Sequence, residues 1–114
     1  MGVITRAAGT GTAGNSGDDG SAATARLSDP AGVAVTADGG FLIADEGNHL
    51  VRAVSRAGVI TRVAGTGTTG NSRDDGPATD AQLNFPAGVA VTADGGFLIA
   101  DRSNHEVRKV APGG

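Results

Sequence analysis

The chain has 114 residues, the length of one small domain, and its composition shows no sign of disorder or of a fibre. It contains no cysteine, so neither a disulfide framework nor a thiolate metal site is available to it. Twelve acidic and nine basic residues give a net charge of −3, and three Phe are the only aromatic residues. A nucleic-acid partner is not expected, because phosphate binding requires clustered Lys and Arg.

The N-terminal residues lack the charged and apolar regions of a signal peptide. No apolar run approaches the ~20 residues that span a bilayer. We therefore expect a soluble chain that is cytoplasmic as written and has no membrane partner. No cofactor is expected either.

The dominant feature of the sequence is an internal repeat. Residues 2–57 align without a gap with residues 58–113, and about 40 of the 56 aligned positions are identical. A period of this length indicates a series of similar structural units rather than one irregular domain. We therefore treat each half of the chain as one unit.

Each unit is predicted to contain four short strands. In the first unit these are residues 2–8, 32–36, 40–44 and 49–55, which are rich in Val, Ile, Phe and Leu. The second and third strands are joined by Asp38-Gly39, a hairpin signal because Gly adopts positive φ readily. Short connections predict an antiparallel meander, and four strands in a unit of ~50 residues are typical of a β-propeller blade.

Glycine-rich turns follow the first strand of each unit. Gly9, Gly11 and Gly14 match the spacing of a dinucleotide-binding loop, and the pattern recurs in the second unit. That motif requires a helix directly after it, with its N-terminus facing the pyrophosphate, whereas Asn, Ser, Gly and Asp follow here. Nucleotide binding is therefore not expected.

Acidic turns at residues 15–20 and 71–76 come next in each unit. Their carboxylates offer oxygen ligands to Ca²⁺, but their spacing fits no EF-hand. We favour a structural turn. In the second unit we expect a short helix over residues 78–83, with Pro77 in its first turn and an aspartate before it as the cap.

The two histidines, His49 and His105, occupy the same position in both units, each after an asparagine. A ring of histidines can hold a metal ion, or the Asn-His pairs can tie each turn to the neighbouring blade through hydrogen bonds. Asp45 and Asp101 precede these pairs, so an acid–base pair is a further alternative. Because nothing else marks a dry pocket, we favour the hydrogen bonds and expect neither a metal site nor an enzyme.

The unit resembles a known family. The segments Gly-Val-Ala-Val, Asp-Gly, Phe-Leu-Ile-Ala-Asp and Asn-His-x-Val-Arg occur in this order at residues 32–54 and again at 88–110. This pattern is similar to the NHL repeat. The resemblance implies an all-β propeller of four-stranded antiparallel blades, commonly six in a ring, with two blades in this chain. It also implies functions from scaffolding and RNA binding to lyase or hydrolase activity, so it predicts fold better than function.

The strand order predicts that ring closure requires another copy of the chain. Residues 2–8 come first and only three strands follow residues 58–64, so the N-terminal strand of one copy is expected to complete the last blade of the next. Two isolated blades would expose apolar residues of their faces, such as Val33, Val35, Phe41, Ile43 and Val51. The residues predicted to form the closure are Gly2, Val3, Ile4, Thr5, Arg6, Val107, Arg108, Lys109 and Val110.

Self-assembly is the function that this reasoning favours, as a six-bladed homotrimer or, as the second choice, an eight-bladed tetramer. The near identity of the repeats also fits an excised fragment or a designed or reconstructed propeller. The alternative is a module that binds a protein or small molecule, or a propeller enzyme, at the loop face around the pore. The residues expected on that face are Asp18, Asp19, Asp45, Asn48, His49, Asp74, Asp75, Asp101, Asn104 and His105.

Overall fold

The computed structural model describes residues 2–72 and 74–112 and shows seven strands in two antiparallel sheets. The strands are β1 Pro30–Val35, β2 Phe41–Asp45, β3 Leu50–Val54, β4 Ile60–Ala64, β5 Pro86–Val91, β6 Phe97–Asp101 and β7 Glu106–Val110. The first sheet has the order β1-β2-β3-β4 and the second the order β5-β6-β7. The predicted all-β fold is confirmed, and the two sheets are consistent with propeller blades.

The tight hairpins form where the Asp-Gly pairs predict them. β1 and β2 pair in antiparallel register, and Gly39 adopts a φ of 94° in the turn between them. The Asp38 carboxylate holds this turn by accepting hydrogen bonds from the Thr36 hydroxyl and the Gly40 N–H. These bonds, the one from Thr36 foremost, lower the pKa of Asp38. β5 and β6 repeat the arrangement around Asp94.

β4 joins the first sheet through a turn that is closed at Gly58. The Gly58 N–H donates to the Ser55 carbonyl oxygen at 2.9 Å. Gly58 itself has a φ of 87°. The four-stranded sheet therefore combines three strands from residues 2–57 with one strand from residues 58–113. The division of the chain into two units at residue 57 stays a prediction.

Residues 2–8 do not form the predicted strand. Their counterpart in the second unit is β4, which lies on the outer edge of β3. That edge is occupied, and Val3 and Ile4 are exposed. Because a strand needs a neighbour for its backbone N–H and C=O groups, residues 2–8 remain irregular in the single chain.

Helical structure is limited to short 3₁₀ turns at Ala22–Thr24, Glu46–Asn48, Ala78–Asp80 and Arg102–Asn104 in the described residues. The prediction of a capped helix over residues 78–83 is wrong, since Pro77 precedes the turn and no side chain caps it. Gln82 forms a β-bridge with Ser72, which requires extended backbone there and ends the turn. Across residues 2–72 and 74–112 no helix has the length and apolar character needed to cross a membrane.

Two apolar clusters form the core. The first joins the first sheet to the segment before it and contains Ala22, Ala25, Ile43, Val54 and Ile60. The second lies between the sheets and contains Leu42, Val51, Ala64, Leu83 and Ile99. The expectation that Ile43 and Val51 lie on bare faces is therefore wrong. Residues 22–25 cover Ile43. The second sheet covers Val51. Val33 and Val35 are exposed as expected.

Candidate assembly site

The outer edge of β7 has no strand partner among the described residues, and it borders a groove. The groove has a volume of about 980 Å³ and is lined by residues 106–112 and by residues 74–79. Phe97 and Ile99 of β6 also line it. A free strand edge beside a partly apolar groove has the form of a site that receives one more strand.

β4 fills the corresponding position in the first sheet. Ile60 pairs with Val54 of β3 on one side. On the other side the Ile60 N–H donates to the Gly20 carbonyl oxygen at 3.0 Å, and the Asp19 N–H donates to the Ile60 carbonyl oxygen at 2.7 Å. β4 is therefore held between β3 and the acidic turn, and the Ile60 side chain is 0% exposed.

Residues 2–8 match β4 in sequence and differ from it in environment. They read Gly-Val-Ile-Thr-Arg-Ala-Ala, and residues 58–64 read Gly-Val-Ile-Thr-Arg-Val-Ala. Ile4, the counterpart of Ile60, is 97% exposed. No backbone hydrogen bond joins residues 2–6 to residues 107–110 within the described chain. The two segments predicted to form the closure are thus not paired with each other in one copy.

A buried arginine network anchors the acidic turn of the first unit. Arg52 of β3 is fully buried, and its guanidinium donates to Asp18 Oδ1 at 3.0 Å and to Asp45 Oδ2 at 3.3 Å. It also donates to the carbonyl oxygens of Ser16 and Arg26. Because a buried charge is unfavourable without partners, these bonds fix the acidic turn against the sheet.

The second unit contains the same network around Arg108, whose guanidinium lies 2.8 Å from Asp74 and 3.2 Å from Asp101. Arg108 lies on β7, and its side chain belongs to this network; its backbone role in the predicted closure stays a prediction. The sequence does carry a signal for it, since an arginine recurs in the middle of an apolar strand in both units. Lys109 differs, because its ammonium lies at the surface, 3.5 Å from Asp94.

Several residues predicted for the loop face are bonded inside their own unit. Asp45 Oδ1 accepts the Ser28 N–H at 2.8 Å, and Oδ2 accepts the Asn48 amide at 2.8 Å. Asp101 and Asn104 repeat these contacts. Asn48 therefore does not make the expected hydrogen bond to the neighbouring blade, because its amide is already engaged locally.

The exposed residues of the predicted loop face are Asp18, Asp19, Asp74, Asp75 and His105. Asp19 and Asp75 both have positive φ, at 67° and 69°. In residues 2–72 and 74–112 no group of three or more His, Asp or Glu is arranged to hold a metal ion. A role of this face in ligand binding stays a prediction, as does the expectation that the chain is not an enzyme.

His49 forms the polar part of the joint between the two sheets. Its Nδ1 accepts the Phe85 N–H at 3.1 Å, and the two rings meet edge to face with centroids 4.5 Å apart. Arg102 lies 2.8 Å from Glu46 and 5.9 Å from the Phe85 ring centroid. Phe85 has a φ of 54°, which is rare for a bulky residue, so these contacts offset a local strain. His49 thus makes the cross-blade bond that the favoured alternative predicts.

Comparisons with known proteins agree with this architecture. The chain is 34% identical over 94 residues to SUPPRESSOR OF QUENCHING 1, chloroplastic, of Arabidopsis thaliana, a match that covers 82% of this chain and 9% of that protein. A solved structural genomics protein of Bacteroides thetaiotaomicron has a TM-score of 0.75 at 28% identity, over 82% of this chain and 24% of that chain. An auxiliary nutrient binding protein of the same organism has a TM-score of 0.69 at 28% identity, over 84% of this chain and 26% of that chain.

The chain therefore spans a small part of each of these proteins. The NHL repeat itself matches residues 27–53 and 83–110. The first match contains β1, β2 and most of β3, and the second contains β5, β6 and β7. Since sequence match and strand pattern coincide in both halves, the chain belongs to the NHL repeat family.

Proposed function

We propose that this chain is a self-assembling module whose two blades close into a propeller with other copies of the same chain. Residues 2–8 of one copy occupy the groove beside β7 of the next copy and form the outer strand of its second sheet. The observation that carries the proposal is the contrast between Ile60 and Ile4, which share a sequence context and are 0% and 97% exposed.

Strand addition is favourable on both sides of the groove. β7 offers a row of backbone groups for an antiparallel ladder. On the opposite side, Asp75 and Gly76 occupy the positions that Asp19 and Gly20 have beside β4. Burial of the Ile4 side chain alone contributes about 1.5 to 3 kcal/mol. The N-terminal segment therefore has both polar and apolar partners in the groove.

Apolar sheet faces support the same assembly. Val89 and Val91 of β5 are half-buried against the first sheet, whereas their counterparts Val33 and Val35 of β1 are exposed. When the second sheet of another copy covers β1, the contact repeats the one already present between the two sheets. Such head-to-tail contacts close into a ring when the rotation between units permits.

Three copies with six blades are our first choice for the ring, and four copies with eight blades are the second. The choice follows what is common among NHL propellers. The assembly needs neither a nucleic acid nor a membrane as a partner, and its cytoplasmic location stays a prediction.

Light scattering coupled to size exclusion tests the proposal with a matched pair of variants. The parent should have the mass of three copies. Ile4→Thr should shift it toward single chains, because the counterpart Ile60 is fully buried. Val3→Thr should have a smaller effect, because the counterpart Val59 keeps 39% of its surface exposed in the complete sheet.

Two outcomes contradict the proposal. A folded, monodisperse monomer for the parent chain would exclude assembly altogether. Equal effects of Ile4→Thr and Val3→Thr would exclude the strand position, since both side chains are exposed in the single chain. A mass of four copies would keep the closure and replace six blades by eight.

A second candidate function is binding of a small molecule at the loop face. It is favoured by the similarity to an auxiliary nutrient binding protein. Asp18 and Asp74 of this face are paired with arginines, so the exposed Asp19, Asp75 and His105 are the polar groups available for binding. Thermal unfolding in the presence of sugars, amino acids and vitamins tests it: a rise in Tm that His105→Ala removes supports binding, and no rise with any compound argues against it.

A further inference from the structure

We infer that the assembly has a second contact, in which the turn at residues 102–105 of one copy docks into a separate groove of the next copy. This inference deepens the proposed function and rests on it. The groove has a volume of about 420 Å³ and is lined by residues 8–13 together with Arg6, Leu27, Asp29 and Pro30. Arg6 and Ala8 of this lining belong to the strand that is added to the neighbouring copy, and the other lining residues lie at 9–13 and 27–30.

The corresponding groove of the second unit is occupied by a turn of the first sheet. A Cβ atom on Gly65 would clash with the His49 carbonyl oxygen, and Phe85 holds the His49 ring. A Cβ atom on Gly9, the counterpart of Gly65, would meet nothing but the Leu27 side chain. The groove at residues 8–13 is thus an empty site, and its counterpart in the second unit is occupied by the turn that carries His49.

The two joints differ in the order of their charges. Within the chain the docking turn carries Glu46, and the receiving sheet carries Arg102 and Phe85. Between copies the docking turn carries Arg102, with His105 in the position of His49, and the receiving sheet presents Glu46 and Asp29 at the matching positions. A basic turn therefore meets an acidic groove. This charge complementarity identifies a second copy of the chain as the occupant of the groove at residues 8–13.

Asp29 is suited to this groove by its backbone conformation. Its φ of 52° is close to the 54° of Phe85, so the two side chains leave the backbone in the same direction. The Asp29 N–H can then donate to His105 as the Phe85 N–H donates to His49. Asp also tolerates the left-handed region better than an aromatic residue does.

In a closed ring this arrangement makes Glu46 and Arg102 alternate around one face. Each guanidinium then lies between a carboxylate of its own copy and one of the next copy. The contact within the chain, at 2.8 Å, is the observed half of this alternation. Alternating charges favour head-to-tail joining of identical copies over other partners.

Paired cysteines test the geometry without background, because the chain has no cysteine. His49→Cys/Phe85→Cys calibrates the joint within the chain, and the oxidant or short thiol cross-linker is chosen as the one that links this pair. Under the same conditions Asp29→Cys/His105→Cys should give covalently linked multimers on a denaturing gel. A double variant that assembles by light scattering and forms no link between copies would overturn the inference.

Charge neutralisation tests the chemistry of the contact. Asp29→Asn should weaken association about two- to fivefold at low salt and reduce its salt dependence. Asp80→Asn is the control, because Asp80 is exposed and its counterpart Thr24 stays exposed in the complete sheet. If the parent assembles and both variants behave alike, this second contact is wrong and the strand addition stands. A monomeric parent instead contradicts the proposed function itself.

Discussion

The first and second sheets have nearly the same sequence and very different surroundings. β3 has a strand on each side, whereas β7 has one neighbour among the described residues. Val51 of β3 is 0% exposed, and its counterpart Val107 of β7 is 70% exposed. Because both residues are valine, the difference in exposure shows that burial in this repeat is set by the neighbouring blade rather than by the type of side chain.

The bare surfaces of the chain also correspond to contacts that it already contains. Residues 2–8 are the counterpart of β4, and the groove beside β7 is the counterpart of the site that β4 fills. The groove at residues 8–13 corresponds to the seat of His49. In the proposed assembly, a second copy would therefore cover each surface with an interaction that the single chain already contains.

Removal of residues 1–8 should break this correspondence and have the largest effect. It deletes the added strand and leaves both sheets untouched, so assembly should be lost and light scattering should give no defined oligomer. Attachment of residues 2–8 after residue 114 should instead complete the second sheet within one chain. Hydrogen exchange should then show protected β7 amides, and a deletion variant with unchanged mass would contradict the strand model.

The second-largest effect is expected from replacing the arginine at the centre of each network, and its size should differ between the two sheets. Arg52→Met should destabilise the chain by about 3 to 5 kcal/mol, because it leaves Asp45 buried without its cation. Arg108→Met should reduce the free energy of unfolding by less in dilute protein. Asp74, the partner of Arg108, is more exposed than Asp18, the partner of Arg52.

Urea unfolding at low and high protein concentration measures this difference. Assembly should bring the two losses of stability closer together, because an added strand gives β7 the second neighbour that β3 has in β4. Arg56→Met, at an exposed position, is the control and should change little. Equal losses for Arg52→Met and Arg108→Met at all concentrations would contradict the difference between the sheets.

A pair of isoleucine variants should sharpen the comparison of filled and open sites. Ile60→Ala should reduce stability by about 2 to 5 kcal/mol at any protein concentration, because it leaves a cavity in a closed core. Ile4→Ala should leave the dilute chain unchanged and lower stability at concentrations where copies assemble. Concentration-dependent thermal melts measure both effects, and a loss with Ile4→Ala in the dilute chain would argue against the open site.

The smallest effect is expected at the hairpins, where the two sheets are most alike, although Lys109 lies 3.5 Å from Asp94 in the second sheet and its counterpart in the first is Ala53. Hydrogen bonds from Thr36 and Thr92, and then from the backbone N–H groups, lower the pKa of Asp38 and Asp94 below the ordinary 3.8. A lowered pKa adds stability above the unfolded value, and this contribution is lost as the pH falls through the folded value.

Asp38→Asn and Asp94→Asn should therefore lower the Tm by similar small amounts at neutral pH. The difference from the parent should shrink below about pH 4. Thermal unfolding between pH 7 and pH 2 measures it. A difference that stays constant down to pH 2 would mean that the carboxylate charge does not stabilise these turns.

Much of the fold follows from sequence alone because its signals are local. Apolar runs at residues 32–36, 40–44 and 49–55 predict β1, β2 and β3 to within two residues at each end. Asp38-Gly39 predicts the hairpin, since the turn needs a residue that adopts positive φ. The 56-residue repeat then predicts the same strands in the second half of the chain.

The tertiary structure alone decided which of these identical segments are paired and buried. Residues 2–8 and 58–64 have nearly the same sequence. The second segment contains a strand, β4, because β3 lies beside it. Arg52 is buried because Asp18, 34 residues earlier, and Asp45 converge on it. The contact with Asp18 joins residues far apart in the chain, and a local pattern carries no information about what the neighbouring blade places against it.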